Sequence, residues 1–571
     1  MTLDPSPTRP DPLLLELLRN ELYVATDEMA ISISKTGRSP MLSAGDFATA
    51  VADRRGNVIG AHLPVMFTCL FTSVLAAVLE KWEGRLAPGD VIVCNDPFGG
   101  ASHKPDVFVI VPVFLGEELA GFSLAYSHHT DVGGRFAGGI SSLCATSFEE
   151  GIRLPGVKLY KGNALNHALV DILRSNIRAG DEFMADIEAK VAGCSRGAVA
   201  YQSVVGKYGL GAAEACFDRL MDVQERRARR AFEAVPDGDY AAEIILKEDG
   251  LGNTGLNLPI VVTLRFRGDR LIVDLTGTAA QVPSAINLTL ANTWSMVCES
   301  IYLMLGSGSP FNVGFTRPID LIAPPGTLVN PNFPGAVGGR AAVFILLAEA
   351  VYQAMGHVVP DRAPAGSNGM DAALFSGTRA SGAEYSMMDI IPGSWGARPM
   401  SDGVDAALPF YYSAISAERL ESEIPIIVEE LTPVLDSGGP GRHRGGVSLA
   451  KQYRFLADAT VMVRTNRHAG GSFALTGGRQ GAPARNTLMR ADGTSEELAQ
   501  SSHLHLRART GDRLRHETGG QGGSGPPSER DRALVLRDLK DGKVSQAGAI
   551  RDYGVSEADL GEPLAGSDGP L

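Results

Sequence analysis

NDPFGGASHKPD, residues 95–106, is followed after two β-rich segments by SHHTDVGG, residues 127–134, and the relation between these strings decides how the N-terminal half folds. Between them lie DVFVIVPVF and LAGFSLAYS, rich in β-branched and aromatic residues and joined by LGEE, so the spacing predicts an antiparallel hairpin with its midpoint near residue 116. Facing residues in such a pair have numbers that sum to a constant, here about 232, which sets His103 opposite the neighbourhood of His128 and His129. Asp106 lies within one or two strand steps, about 3.3 Å each, of the same open end. Three of only 11 histidines therefore gather beside an acid. Imidazole nitrogen and carboxylate oxygen together suit a divalent transition metal such as Zn, Mn or Fe. The same residues would also serve to cap strands and bond backbone amides, and spacing by itself leaves the two readings even.

Composition narrows the class. A chain of 571 residues is long enough for several domains and a large core. Its 52 Lys and Arg against 65 Asp and Glu give a net charge of −13, the wrong sign for a phosphate-binding surface, so no nucleic-acid partner is expected. MTLDPSPTRPDP reads as a disordered leader without the cationic and apolar regions of a secretory signal. The longest apolar run, Val65–Leu79, is shorter than the ~20 residues that cross a bilayer and reads as a buried helix, so no membrane partner is expected. Six widely spaced cysteines form no CxxC pair and read as reduced, buried thiols of a cytoplasmic protein.

Along the chain, Leu14, Leu17, Leu18 and Leu22 fall on one face of a predicted N-terminal helix. DFATAVADRRGNVIGAHL predicts a hairpin with the polar turn DRRGN, and VIVC a short buried strand that delivers the loop at 95–106. Residues 190–235 read as helical, their basic run QERRARRAFEAV as a solvated face. A β-rich section starts near Asp237 and includes a hairpin turning at RGDR. VFILLAEAVYQAMG predicts an amphipathic helix ended by Gly356. Beyond Pro425 glycine strings such as LDSGGPGRHRGG and HETGGQGGSGPP alternate with strands. The expected fold is mixed α/β (α+β) and multi-domain: a metal-site region at 1–235 built on the β-hairpin, a central α/β region at 236–424, and a glycine-rich β region with tail at 425–571.

Other motifs carry less. DSGGP around Ser437 resembles the nucleophile string of trypsin-like proteases, but the triad context is missing, so it reads as a glycine turn. No GxSxG elbow and no GxxxxGK[ST] phosphate loop is present. Glu149–Glu150 and Glu429–Glu430 read as solvated carboxylates, and the remaining histidines, 62, 167, 357, 443, 468, 503, 505 and 516, as structural.

The ordered strings DFATAVAD, GDVIVCNDPFGGASHKPD, SHHTDVGG, FEEGIRLPGVKLY, DLTGTAAQVPSAIN, NPNFPGAVGG, LDSGGPGRHRGG and the tail from GQGGSGPP to RDYGV resemble the hydantoinase B / 5-oxoprolinase family, which includes the large subunits of acetone and acetophenone carboxylases. The resemblance runs from about Ser43 to Gly554. It implies one metal bound by His103, Asp106, His128 and Asp46, with His129 and Asp131 behind the ligands as groups that orient them or handle protons. Asp46 enters only through the resemblance. The family further implies a hetero-oligomer in which an ATP-binding A-type partner carries ATP-Mg and phosphorylates the substrate oxygen, and the B-type chain completes the reaction. Two enzyme readings follow: ATP-dependent hydrolysis of a cyclic amide (hydantoin, oxoproline or lactam), favoured by chain length, and ATP-dependent ketone carboxylation. A scaffold role with a structural metal is a third, non-enzymatic reading. The chain departs from many relatives at GASHKPD, at Pro64-Val65-Met66 and at Ala137-Gly138-Gly139, neighbours of the ligands, so substrate identity is the least determined property.

Overall fold

The computed structural model describes residues 12–62, 65–306, 310–408, 413–499 and 503–560; the leader and Pro64 lie outside them. It is a mixed α/β chain of two compact units, the first formed by residues 1–140, 144–239 and 262–340 and the second by 141–143, 240–261 and 341–571. The sequence boundary at 235/236 falls inside the first unit and that at 424/425 inside the second.

The first unit is built on a seven-stranded antiparallel sheet. Its strands are β1 (Phe47–Asp53), β2 (Val58–His62), β3 (Val91–Cys94), β4 (Asp106–Leu115), β5 (Glu118–His128), β6 (Val157–Lys161) and β7 (Ala164–Leu165), in the order β2-β1-β5-β4-β3-β6-β7. Both faces are covered, which is why β4 reads as an unbroken apolar run rather than an alternating one. Val107, Val109 and Ala125 join one core with Leu18, Leu22, Met29 and Ile33 of α1 (Pro12–Thr36) and Ile187, Cys194 and Tyr201 of α5 (Gly180–Tyr208). Phe108 and Tyr126 point the other way, their rings packed with those of Phe67 and Phe71 on α3 (Val65–Trp82). Among the described residues no helix is long and apolar enough to cross a membrane.

Two details differ from the sequence expectation. Leu17 is 45% exposed, because the buried stripe of α1 runs through Leu18, Leu22, Ala25, Met29 and Ile33. The β4–β5 numbers sum to 233 beside the turn, where Leu115 faces Glu118, and to 234 at the open end, where Asp106 faces His128, since a register shift near Val113 adds one.

In the second unit β12 (Met370–Thr378), β13 (Glu384–Pro392), β16 (Ala459–Arg464) and β19 (His503–Ala508) form one sheet, and β14 (Ile426–Pro433), β15 (Leu449–Phe455), β17 (Arg485–Met489), β18 (Ser495–Glu497) and β20 (Arg513–Glu517) another. The glycine strings interleave backbone against backbone: a Cβ on Gly445 would stand 1.8 Å from Gln521 O, and one on Gly520 1.7 Å from Ser437 O. Ser437 is buried, its Oγ donating to Val434 O at 2.6 Å and accepting from Ser448 N at 2.8 Å, so the DSGGP string is a structural turn. All six cysteines are buried and unpaired.

Candidate metal centre

The loop at 95–106 is held from both ends. Asn95 donates to Lys104 O and Ile152 O and accepts from Leu154 N. Asp96 caps the short 3-10 turn Pro97–Gly99, and Gly100, at φ 97°, passes so close to α3 that a Cβ would lie 2.6 Å from Ser73 O. Asp106 N then bonds back to His103 O at 3.1 Å, a tight turn that folds the His103 side chain over Asp106. Asp96 is thus a cap, and the ligand candidates are His103 and Asp106.

Register supplies the rest. Phe47 pairs with Ser127, and Asp106 pairs with His128, so Asp46, His128 and Asp106 form a row across the adjacent strands β1, β5 and β4. His128 N bonds Asp46 O at 3.0 Å to close that row. His103 Nε2 and His128 Nδ1 each lie 3.0 Å from Asp106 Oδ1 and 3.2 Å from each other. These three ligand atoms, all on buried residues, lie within 4.8 Å of one another. Asp46 stands outside that tight group, its Oδ1 accepting the Tyr126 hydroxyl at 3.0 Å.

Electrostatics prepare the group for a cation. His103 Nδ1 faces Gly338 O at 3.1 Å, and since a carbonyl only accepts, Nδ1 carries the proton and Nε2 turns a lone pair toward Asp106 and His128. Burial, reinforced by the Arg340 guanidinium, pushes the His103 pKa down to about 3, so the ring is neutral. Burial opposes ionisation of Asp106, but His103, His128 and Arg340 outweigh it and hold the carboxyl well below its usual range. Asp106 Oδ2 is fixed by Ser102 Oγ and by Arg340 at 3.2 Å. Burial, with the charge of Asp106 in the same direction, raises Asp46 to about 6. One shared proton bridges two of three converging acceptors, whereas a cation serves all three, so the donor set fits a His/His/carboxylate metal site.

His129 and Asp131 stand next to this set but differ. His129 is buried against Phe183, its N bonded to Pro105 O, and its Nε2 lies 2.8 Å from Lys190 Nζ, which also donates to Val107 O. Burial and then the Lys190 charge hold His129 well below its ordinary pKa, while burial brings Lys190 down to about 7. Asp131 has its oxygens engaged by Gly133 N, Gly138 N, Arg178 N and the Arg178 guanidinium, and it fastens the loop after β5.

Sequence reasoning missed Glu150, Gly338, Arg340 and Lys190. Glu150, read as solvated, is 1% exposed, and its Oε1 accepts from Val337 N and Gly338 N; burial raises it to about 7. It therefore holds the segment whose Gly338 carbonyl orients His103. Lys190 carried a signal in the sequence: with Phe183, Ile187 and Cys194 it lies on the apolar stripe of α5, where a lysine must find a buried partner.

A family model for hydantoinase B/oxoprolinase matches residues 11–527. The chain belongs to the hydantoinase B/oxoprolinase family. Over the full length this family member is 32% identical to a chain assigned as the B-type component of a D-/L-hydantoinase from Pseudomonas sp. strain NS671, covering 97% of the present chain and 96% of the relative. It is 30% identical to the beta chain of caprolactamase from Pseudomonas jessenii, covering 95% and 96%. The crystal structure of the ATP-dependent caprolactamase from that organism superposes with a TM-score of 0.88 at 27% identity, covering 96% of this chain and 97% of the other. A nucleotide-free acetone carboxylase has the same fold, with a TM-score of 0.87 at 17% identity over 96% of this chain and 80% of the other.

Proposed function

We propose that the chain is the B-type subunit of an ATP-dependent enzyme that opens a small cyclic amide, a hydantoin, oxoproline or lactam, together with an A-type subunit that binds ATP-Mg and phosphorylates the amide oxygen. The observation that carries the metal assignment is the convergence of His103, Asp106 and His128 within 4.8 Å. In this reading they hold one divalent transition ion, Zn, Mn or Fe, with Asp46 as fourth ligand from the same row of strands. Full-length similarity to components of a hydantoinase and a caprolactamase supports the amide class and the two-subunit arrangement. The six unpaired buried cysteines support a cytoplasmic complex.

A bound ion would supply Lewis acidity to the attacking water and the developing oxyanion. The chain's own residues do the remaining work. Gly338 keeps the His103 proton on Nδ1, away from the donor cluster. Ser102 and Arg340 anchor Asp106 Oδ2, so Oδ1 stays with the two imidazoles. Lys190, brought down to about 7 and paired with His129 Nε2, is able to hold or release a proton at Nζ near neutral pH beside the neutral His129 ring, whereas Asp131 shapes the adjoining loop.

The fold shared with acetone carboxylase makes ketone carboxylation the second reading. Incubating the reconstituted two-subunit complex with ATP, labelled bicarbonate and a panel of cyclic amides and ketones separates the two. ATP-dependent ring opening without label incorporation is expected. An acid-stable labelled product, with no ring-opened amide from any panel member, would replace hydrolase by carboxylase.

A further inference from the structure

Lys104 follows the ligand candidate His103 in the loop at 95–106, yet it is only 2% exposed. A lysine so placed must find partners for its ammonium inside the protein. Its Nζ donates to Ser147 O and, at 2.8 Å, to Gly151 O. These two carbonyls belong to the first residue of the 3-10 turn Ser147–Glu150 and to the residue that follows its last. On the loop side Lys104 O accepts from Asn95 Nδ2 at 2.8 Å, so the lysine is fixed at both its backbone and its tip.

The turn passes that constraint on. Glu150, its last residue, accepts through Oε1 from Val337 N at 2.6 Å and from Gly338 N at 2.5 Å. Gly338 O in turn faces His103 Nδ1 at 3.1 Å, which brings the path back to the neighbour of Lys104. His103, Lys104, the turn and residues 337–338 thus close a ring of covalent and hydrogen bonds, and His103, Lys104 and Glu150 are all buried. Gly338 is also packed directly on the loop after β5, where a Cβ would lie 2.3 Å from Gly139 O.

Stability alone is a poor reason for such a ring. Apolar residues of similar volume in place of buried ionisable groups are often neutral or stabilising, and here Glu150 Oε2 has no partner at all. Apolar contacts cannot, however, aim a carbonyl at one chosen ring nitrogen, because direction belongs to hydrogen bonds. Direction matters at His103. Asp106 Oδ1, 3.0 Å from Nε2, invites the ring proton to that side, whereas Gly338 O holds it on Nδ1. Only the second tautomer leaves Nε2 a lone pair for a cation. We infer that Lys104 and Glu150 are positioning residues that fix the His103 tautomer through Gly338 and so set how tightly the site holds an ion. The affinity half of this inference rests on the proposed metal assignment; the tautomer half does not, since the metal-free chain displays it.

The test uses the full chain labelled with ¹⁵N-histidine and freed of metal, the His103 signals being assigned by their loss in His103→Ala. At neutral pH the wild type should show His103 protonated on Nδ1 and bare on Nε2. Lys104→Met and Glu150→Ala should each move the proton to Nε2, and each should weaken Zn(II) binding, read by competition with a chromophoric chelator, about 10–100-fold. Glu150→Gln keeps an Oε1 acceptor for the two amides and should restore both readings. The double variant should bind Zn(II) no more weakly than the weaker single one, because both substitutions open the same ring. Thermal melts identify a variant that has lost its fold, and the other single variant then decides. A wild-type ring protonated on Nε2, a proton or an affinity that stays put while only the thermal midpoint falls, or additive losses in the double variant would overturn the inference. A wild type that binds no Zn(II) would instead end the metal assignment and leave the tautomer shift to judge the ring.

Discussion

Each unit buries a histidine cluster, and the two are built on opposite principles. In the second unit His516 Nε2 lies 3.0 Å from Asp371 Oδ2 and Nδ1 2.7 Å from Asn486 Oδ1, so each ring nitrogen meets an oxygen. The remaining polar atoms are served as well: Asp371 Oδ1 accepts from Asn466 N, and Asn486 Nδ2 donates to Thr465 Oγ1. In the first unit two imidazole nitrogens face each other at 3.2 Å across a single carboxylate oxygen. Burial alone does not separate them, since both are nearly closed to solvent. Complementarity does: a cluster complete in itself is a structural element, and one whose lone pairs converge is able to hold a cation.

The strongest way to break this contrast is to remove the converging atoms. Elemental analysis of the purified chain should give about one transition-metal ion per chain, and His103→Ala with His128→Ala should bring it to background, because two of the four proposed ligands are lost. Unchanged metal content would end the assignment. His516→Ala should do the reverse, leaving metal content intact and costing ~3 kcal/mol of stability through the unpaired Asp371 left behind, seen as a lower thermal midpoint. If that variant lost its metal and kept its midpoint, the contrast between the clusters would be wrong.

The smallest effect concerns a buried carboxyl that belongs to neither cluster. Glu299, on α7 (Leu290–Leu305), has Oε2 without a partner, and burial raises its pKa to about 8. The folded chain therefore binds this proton more tightly than the unfolded one. The resulting stability is present below the ordinary carboxylate range and is lost as pH rises through about 8. The thermal midpoint should fall across that interval, and Glu299→Gln should flatten the fall. An unchanged slope in the variant would show that Glu299 finds a partner in solution.

What could be read from the sequence follows the range of the contacts. His103, Asp106 and His128 were legible because one hairpin, paired through local register, brings them together. Half of the offset between the expected sum and the observed 234 lies in the turn, where Leu115 faces Glu118, and the other half in an irregularity near Val113 that no turn residue announces. Asp46 needs the pairing of β1 with β5, which residue spacing does not reveal, and came only through family resemblance. Glu150 looked like one of two adjacent surface acids because its partners, Val337 and Gly338, lie 187 and 188 residues away. Leu17 was misplaced for a simpler reason: five leucines in the nine residues from Leu14 to Leu22 overfill a helical face, and packing selects the stripe that continues through Met29 and Ile33.

The grip of Gly338 and Arg340 on His103 and Asp106 spans 235 and 234 residues. Closing so long a loop is slow compared with pairing β4 to β5. As the chain leaves the ribosome, all four proposed ligands emerge well before the segment that orients two of them. A nascent chain halted at residue 235 would carry the ligands without that clamp, and a metal present during synthesis would meet flexible donors first. Selectivity for the ion would then be imposed late, when residues 337–340 close on the loop and convert a loose set of histidines and acids into one of fixed geometry.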